Sequence, residues 1–494
     1  MSGSPNGGAE NTMTNVDILI DNGTVVTMDP GRRVLENSSV AVKDGKILAV
    51  GPAEEMRARY KPAKTIDARR KAIMPGLVDI HGHAGTALIK QIGERLPSAP
   101  WRDTVDFVAH HTSAEWWHVD SLLSSLEKLK AGTTTSLYML GSAPRGDNPE
   151  YAYENAKGVD KVGIRSVCGV GPSRPPWPHE YTYWENGARV QKKVTMEETF
   201  EKTEEAIATW NSRNDSRVKL WISVSRLLNE NPNDPVYDPA NAKYIRPQAE
   251  GVRRIMDKYG VGFHVHAYGT AAKFIEKEQL GLLGKNTVLA HGWPFDMESV
   301  EIIARTGTHV AHCPRAHRVY LNKGRLPVPE LIDAGVAVGL GSDFCGMDRS
   351  WNLWEDIYLA PRLHRRIKLD SHLIPVGKVL EMATIDGARA LGMDDRIGSL
   401  EVGKEADIIV VNLFTPHAAP FFMETQRLAY FARGSDVDTV MVQGQILMED
   451  RKVLTVDEEE ILDWADEEAR QTVSVFGLEP LMEINDRYWK HESF

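Results

Sequence analysis

Two pairs of histidines separated by a single residue, His81-Gly82-His83 and His264-Val265-His266, are the part of this chain best suited to chemistry. In an extended strand, residues i and i+2 point to the same face, so both imidazoles of a pair can reach one ion. An isolated pair of this kind is more often structural than metal-binding. Here the pairs are joined by His291, in LAHG, and Asp343, in GLGSD, each at the end of a short apolar run. Imidazole nitrogens together with a carboxylate oxygen are the donors that suit zinc, iron or another divalent first-row metal. Such a set, gathered at one place without a cation, is costly to take out of water.

Eight short apolar runs carry these residues: 76–83, 133–139, 164–171, 218–226, 261–267, 286–292, 308–314 and 336–343. Amphipathic helical stretches separate them, which predicts parallel β-α units, and eight units over this length predict a closed α/β (β/α)8 TIM-like barrel. The alternative, a doubly wound open sheet, lacks its GxGxxG turn after the first strand. In a barrel the C-terminal strand ends form one face, and His81, His83, His264, His266, His291 and Asp343 all lie at such ends. Strand-rich blocks with Asp-Gly and Gly turns flank the barrel segment on both sides, and one small β-sandwich built from both chain ends is the simpler reading. The expected organisation is a disordered lead-in over 1–15, a composite β-sandwich over 16–74 and 398–454, the barrel over 75–397, and a C-terminal acidic helix and tail over 455–494. Packing of that helix on the barrel is favoured over a subunit contact.

The chain has 494 residues, with 58 Lys and Arg against 69 Asp and Glu, a net charge of −11 that argues against a general nucleic-acid binder. No run approaches the roughly 18 apolar residues of a membrane span, and the first residues lack the basic and apolar regions of a secretory signal. Cys168, Cys313 and Cys345 cannot form a disulfide framework, which fits a reducing cytoplasm. The expected partner is a small-molecule substrate, with no nucleic acid and no membrane.

MPGLVDIHGH, HVHA, LAHG, HCPRAHRVYLNKGRLPVPELIDAGVAVGLGSD and GSLEVGKEADIIVV, in that order, resemble the amidohydrolase superfamily over roughly residues 16–455. The similar branch is the mononuclear one that contains cytosine deaminase, S-adenosylhomocysteine deaminase and the triazine hydrolases, with phenylurea and molinate hydrolases also alike. The resemblance implies one divalent metal, zinc first, with iron, manganese or cobalt compatible, held by His81, His83, His266 and Asp343, with His264 structural. It implies His291 and Asp343 as catalytic residues, the first beside the reacting group and the second as proton shuttle, and a homo-oligomer. Binuclear relatives use a lysine near the end of strand 4; this chain has Ser223, Val224, Ser225 and Arg226 there, which favours one ion.

Two departures bear on the reaction. Deaminases of this branch carry a glutamate three residues after the strand-5 ligand, where this chain has Gly269, and Pro-Thr-Ser-Asn after strand 7, where it has Pro314-Arg315-Ala316-His317. A carbonyl substrate needs less help from a ring-directed acid, so hydrolysis of an amide, urea or carbamate C–N bond by metal-activated water is the leading reading. The alternative is an aminohydrolase, deaminase or dechlorinating hydrolase of a nitrogen heterocycle. A catalytically silent scaffold is disfavoured by the complete donor set. Tyr268, Trp293, His317 and Phe344 are the candidate substrate-binding residues, each close to a proposed catalytic residue or on the loop after strand 7. Arg315 is a weaker candidate, packing is favoured for His110, His111 and His118, and no neighbouring base marks Cys313 or Cys345 as a nucleophile.

Overall fold

The computed structural model describes residues 13–92, 98–141, 145–185, 188–227, 239–316, 324–346 and 349–482. Eight strands form one sheet: β1 (Leu77–Asp79), β2 (Thr133–Met139), β3 (Arg165–Val170), β4 (Val218–Arg226), β5 (Phe263–Tyr268), β6 (Thr287–Trp293), β7 (His309–His312) and β8 (Val338–Leu340). Each pairs in parallel with the next. The last returns to the first: Ile80 N–H donates to the Leu340 carbonyl and Asp343 N–H to the His81 carbonyl, both at 2.9 Å. The sheet is therefore a cylinder, the barrel expected from the eight runs. β2, Thr-Thr-Thr-Ser-Leu-Tyr-Met, is buried at every residue, as a parallel strand covered on both faces must be.

Local sequence sets the helices of the outer ring. Asn148 caps Pro149–Val162, proline occupies its first turn, and Gly163 ends it at φ 101°. Thr195 and Glu198 form a reciprocal capping box on Met196–Asn211. Between β3 and that helix lies an antiparallel hairpin, His179–Glu185 with Ala188–Val194, which strand and helix periodicity did not foreshadow.

Strands from both chain ends share one nine-stranded sheet. Its seam is Lys71–Pro75, which runs antiparallel to Ile408–Asn412, with Ile73 opposite Val410 and Met74 opposite Ile409. Ile18, Ile20, Val25, Val40, Ile73, Ile408 and Met441 gather in one buried apolar cluster, so the N-terminal and C-terminal blocks need each other's apolar faces. The first strand starts at Thr14, inside the segment expected to be a lead-in, because Thr14 and Asn15 pair with Tyr60 and Lys61. Residues 1–12 and the tail from 483 lie outside the described residues. The acidic helix Glu458–Phe476 packs on Ala114–Lys130 through Trp116 Nε1–H to Thr472 Oγ1 at 2.9 Å and Lys130 to Glu458 at 2.6 Å. Among the described residues no helix is long and apolar enough to cross a membrane.

Barrel closure rests on a buried carboxylate. Asp79 accepts from Ser342 N–H at 3.0 Å and Ser342 Oγ–H at 2.6 Å, and from His81 N–H at 3.3 Å, so one side chain ties β1 to the loop after β8. Lys128, also buried, stands 3.9 Å away. Removing Asp79 strands that ammonium and the Ser342 donors. Asp79→Ala is therefore expected to cost about 3–5 kcal/mol in chemical denaturation, whereas a change under about 1 kcal/mol would mean that the closure does not depend on it.

Candidate metal centre

The barrel mouth brings His81, His83, His266, His291 and Asp343 to one place. Donor atoms of His81, His266 and His291 lie within 4.8 Å of one another, and so do those of His81, His83 and Asp343. The rings of His81 lie 4.9 Å from His83, 5.1 Å from His266 and 4.8 Å from His291.

Hydrogen bonds at Nδ1 decide where the imidazole lone pairs point. His264 turns Nδ1–H to the Val288 carbonyl at 3.0 Å, so its Nε2 accepts from His81 Nδ1–H at 2.8 Å. His83 Nδ1–H donates to the Gly141 carbonyl at 2.9 Å, and His266 Nδ1–H to the Ser225 carbonyl. With all three Nδ1 atoms committed outward, the three Nε2 atoms carry lone pairs and face inward. His83 Nε2 and His266 Nε2 stand 3.1 Å apart, and Asp343 Oδ1 lies 3.4 Å from the Nε2 of both His81 and His83. His81 Nε2 is buried with no hydrogen-bond partner. Acceptors facing acceptors at such distances need a cation between them. A tetrahedral ion with bonds of about 2.0–2.1 Å has donor–donor edges of roughly 3.3–3.4 Å, so the donor separations fit one. The outward bonds are the usual second layer around metal-binding histidines.

The electrostatics agree. Burial holds His81 and His266 well below the ordinary imidazole range, and brings His264 down to about 3 and His291 down to about 4, so all four are neutral at pH 7. Burial opposes ionisation of Asp343, but the Arg349 guanidinium and then the imidazoles outweigh it and hold the carboxyl well below its ordinary value. Arg349 Nη1–H donates to Asp343 Oδ2 at 2.6 Å. His291 and Asp343 both sit in the left-handed backbone region, at φ 74° and 65°. For residues with a side chain this costs about 1–3 kcal/mol each, a strain that clusters at functional sites.

The other sequence candidates are placed as follows. Tyr268 is half-buried, its ring 5.4 Å from His291, and Trp293 is buried 5.0 Å from the same imidazole. The Phe344 ring carries the Arg349 guanidinium 3.4 Å from its centroid and stacks on Trp101 at 4.3 Å. His317 lies outside the described residues. Arg315 is forked onto Asp356, with Nη2 to Oδ2 at 2.7 Å, and also binds Glu355. His110 is buried against Tyr181, and His118 bonds the Glu154 carbonyl, which are packing roles. Burial raises the Cys313 thiol well above its ordinary value and pushes Cys345 up to about 12, so neither is an activated nucleophile. Sequence reasoning missed Asp79, although Asp79, His81 and His83 share one face at i, i+2 and i+4. It also missed Arg349, which no motif marks.

These depressed histidines make stability acid-sensitive. His110, well below its ordinary value by burial, and His264 at about 3 stay neutral in the folded chain where the unfolded chain takes up protons. Each therefore contributes stability above about pH 6.5 and loses about 1.4 kcal/mol per pH unit below it. Urea denaturation at pH 7.5 and pH 5.5 should show the folded state weakened at the lower pH; equal or greater stability there contradicts the assignment.

The Amidohydrolase family model matches residues 72–447, and a bacterial imidazolonepropionase-like composite domain model matches residues 40–60. The chain is 32% identical over 459 residues to a 5-methylthioadenosine/S-adenosylhomocysteine deaminase of Syntrophobacter fumaroxidans, covering 90% of this chain and 96% of that protein. It is 30% identical over 471 residues to a 5'-deoxyadenosine deaminase of Methanosarcina barkeri, covering 93% and 99%. An adenosine deaminase from Xanthomonas campestris, solved with bound zinc, superposes with a TM-score of 0.79 at 25% identity over 94% of this chain and all of that one. An atrazine chlorohydrolase from Arthrobacter aurescens, complexed with zinc, shares the fold at a TM-score of 0.75 and 22% identity, over 92% of this chain and all of that one. With its barrel spanned by the family model and its mouth lined by residues that could hold a metal ion, the chain belongs to the amidohydrolase family and is a hydrolase acting on carbon–nitrogen bonds other than peptide bonds.

Proposed function

We propose that His81, His83, His266 and Asp343 hold one divalent ion, zinc first, and that the enzyme hydrolyses an amide, urea or carbamate C–N bond of a small molecule. The observation that carries the metal is the inward convergence of three Nε2 lone pairs on a carboxylate oxygen. At the end of β4 the Ser225 carbonyl is occupied by His266 and the Ser223 hydroxyl by the His264 carbonyl, with no lysine to bridge a second ion. Free, buried Cys168, Cys313 and Cys345 support a reducing cytoplasm. Exposed Phe421, Phe422 and Met423 support burial of a surface between copies in a homo-oligomer.

The bound ion supplies a Lewis acid that acidifies water and polarises a carbonyl. Asp343, held ionised and oriented by Arg349 at Oδ2, takes the water proton and returns it to the leaving nitrogen. His291 is neutral, so one ring nitrogen carries a hydrogen that it donates to the carbonyl oxygen as negative charge builds there. Tyr268 and Trp293 wall the substrate on the side of that imidazole. At position 269 the chain offers only a backbone N–H, bonded to the Trp293 carbonyl at 3.0 Å, with φ 52°. No side chain there protonates a heterocycle, which is why a carbonyl substrate is favoured.

Deamination of a purine-type ring is the second reading, favoured by the names of the relatives at 30–32% identity. Product analysis separates the two: an amine with a carboxylate or carbamate supports the first, ammonia from a ring amidine the second. Asp343→Asn should lower kcat by about 10²-fold or more, and near-normal turnover with metal still bound would refute its role. His266→Ala should lose bound metal in elemental analysis; unchanged metal content would remove it from the ligand set.

A further inference from the structure

We infer that Arg349 is a substrate anchor, and that the substrate carries a carboxylate beside the scissile carbon–nitrogen bond. The inference rests on the reading of this mouth as a metal-hydrolase centre and names its substrate class. Arg349 is 6% exposed. Its Nη1–H is spent on Asp343 Oδ2 at 2.6 Å, while Nε and Nη2 are buried and have no acceptor among the described residues. Covalent geometry puts the Nε–H and one Nη2–H side by side on the guanidinium edge distinct from the one that serves Asp343. Two parallel donors of this kind match the two oxygens of a planar carboxylate.

The surroundings hold that edge in place. Arg349 N–H donates to the Gly346 carbonyl at 3.1 Å, and its own carbonyl accepts from the Cys345 thiol at 3.3 Å. The Phe344 ring backs the guanidinium at 3.4 Å and is itself stacked on Trp101 at 4.3 Å. A side chain fixed this firmly loses little conformational entropy on binding a ligand. The anion is favoured over a neutral acceptor by charge. Asp343 turns its other oxygen to the imidazole cluster, so any cation held there shares the carboxylate charge and leaves the guanidinium short of a counterion.

The test is calorimetric titration of the full-length, metal-loaded chain with benzoate and with benzamide, in wild type, Arg349→Gln and Arg349→Lys, with metal content measured in each preparation. Wild type should bind benzoate about tenfold or more tightly than benzamide, and Arg349→Gln should lower that ratio by about tenfold, both affinities being taken on the metal-loaded fraction of each preparation. Arg349→Lys, which keeps the charge and loses the fork, should fall between. The same ratio in wild type and Arg349→Gln would overturn the proposal, because coordination of benzoate by the metal alone survives the substitution. No benzoate preference in wild type would overturn it as well. If Arg349→Gln does not fold, the lysine variant decides, and a ratio equal to wild type again overturns it. Failure of the underlying reading shows separately, as a wild-type chain that takes up no stoichiometric metal.

Discussion

Everything at the mouth depends on the commitment of three Nδ1 hydrogens. His81 gives its hydrogen to His264, His83 to the Gly141 carbonyl and His266 to the Ser225 carbonyl. Each bond fixes a tautomer and a ring plane at once, leaving Nε2 as a bare acceptor. Burial then keeps His81 and His266 from relieving the crowding by taking up protons. The arrangement favours positive charge entering from outside, and that preference is the physical ground for the proposed metal site.

The barrel exists, in this respect, to hold the acceptors still. Val288, which orients His264, lies on β6; Ser225 lies on β4; Gly141 follows β2. Thus the proposed ligands at the ends of β1 and β5 are aimed by three other strands, and loss of register at any of them turns a lone pair away. Asp343 is placed by closure itself, through its own N–H on the His81 carbonyl. Its left-handed backbone and that of His291, two residues before the end of β6, are strained points beside the mouth.

The sequence announced what is local and periodic. The i, i+2 spacing of His81 with His83 and of His264 with His266 is a strand property, and the eight apolar runs are legible because parallel strands buried on both faces are nearly continuous in hydrophobicity. Contacts made across the fold were not legible. Gly141 and Ser225 act through backbone carbonyls, which residue type does not mark. Arg349, whose N–H bonds the Gly346 carbonyl, meets the Asp343 carboxylate through a contact that no residue spacing marks. The contacts of Phe344 with Arg349 and Trp101 are likewise made across the fold and are not marked by residue type. The hairpin from His179 was missed because its strands alternate weakly and its inserted position in a β-α unit breaks the repeat that identified the barrel.

A crystal structure of the metal-loaded chain, with data collected on both sides of the zinc absorption edge, tests the central claim most directly. One anomalous peak per chain is expected, bonded to Nε2 of His81, His83 and His266 and to Asp343. Full occupancy by a metal elsewhere, or a loaded protein in which His266 or Asp343 stands outside bonding distance of the peak, would contradict it.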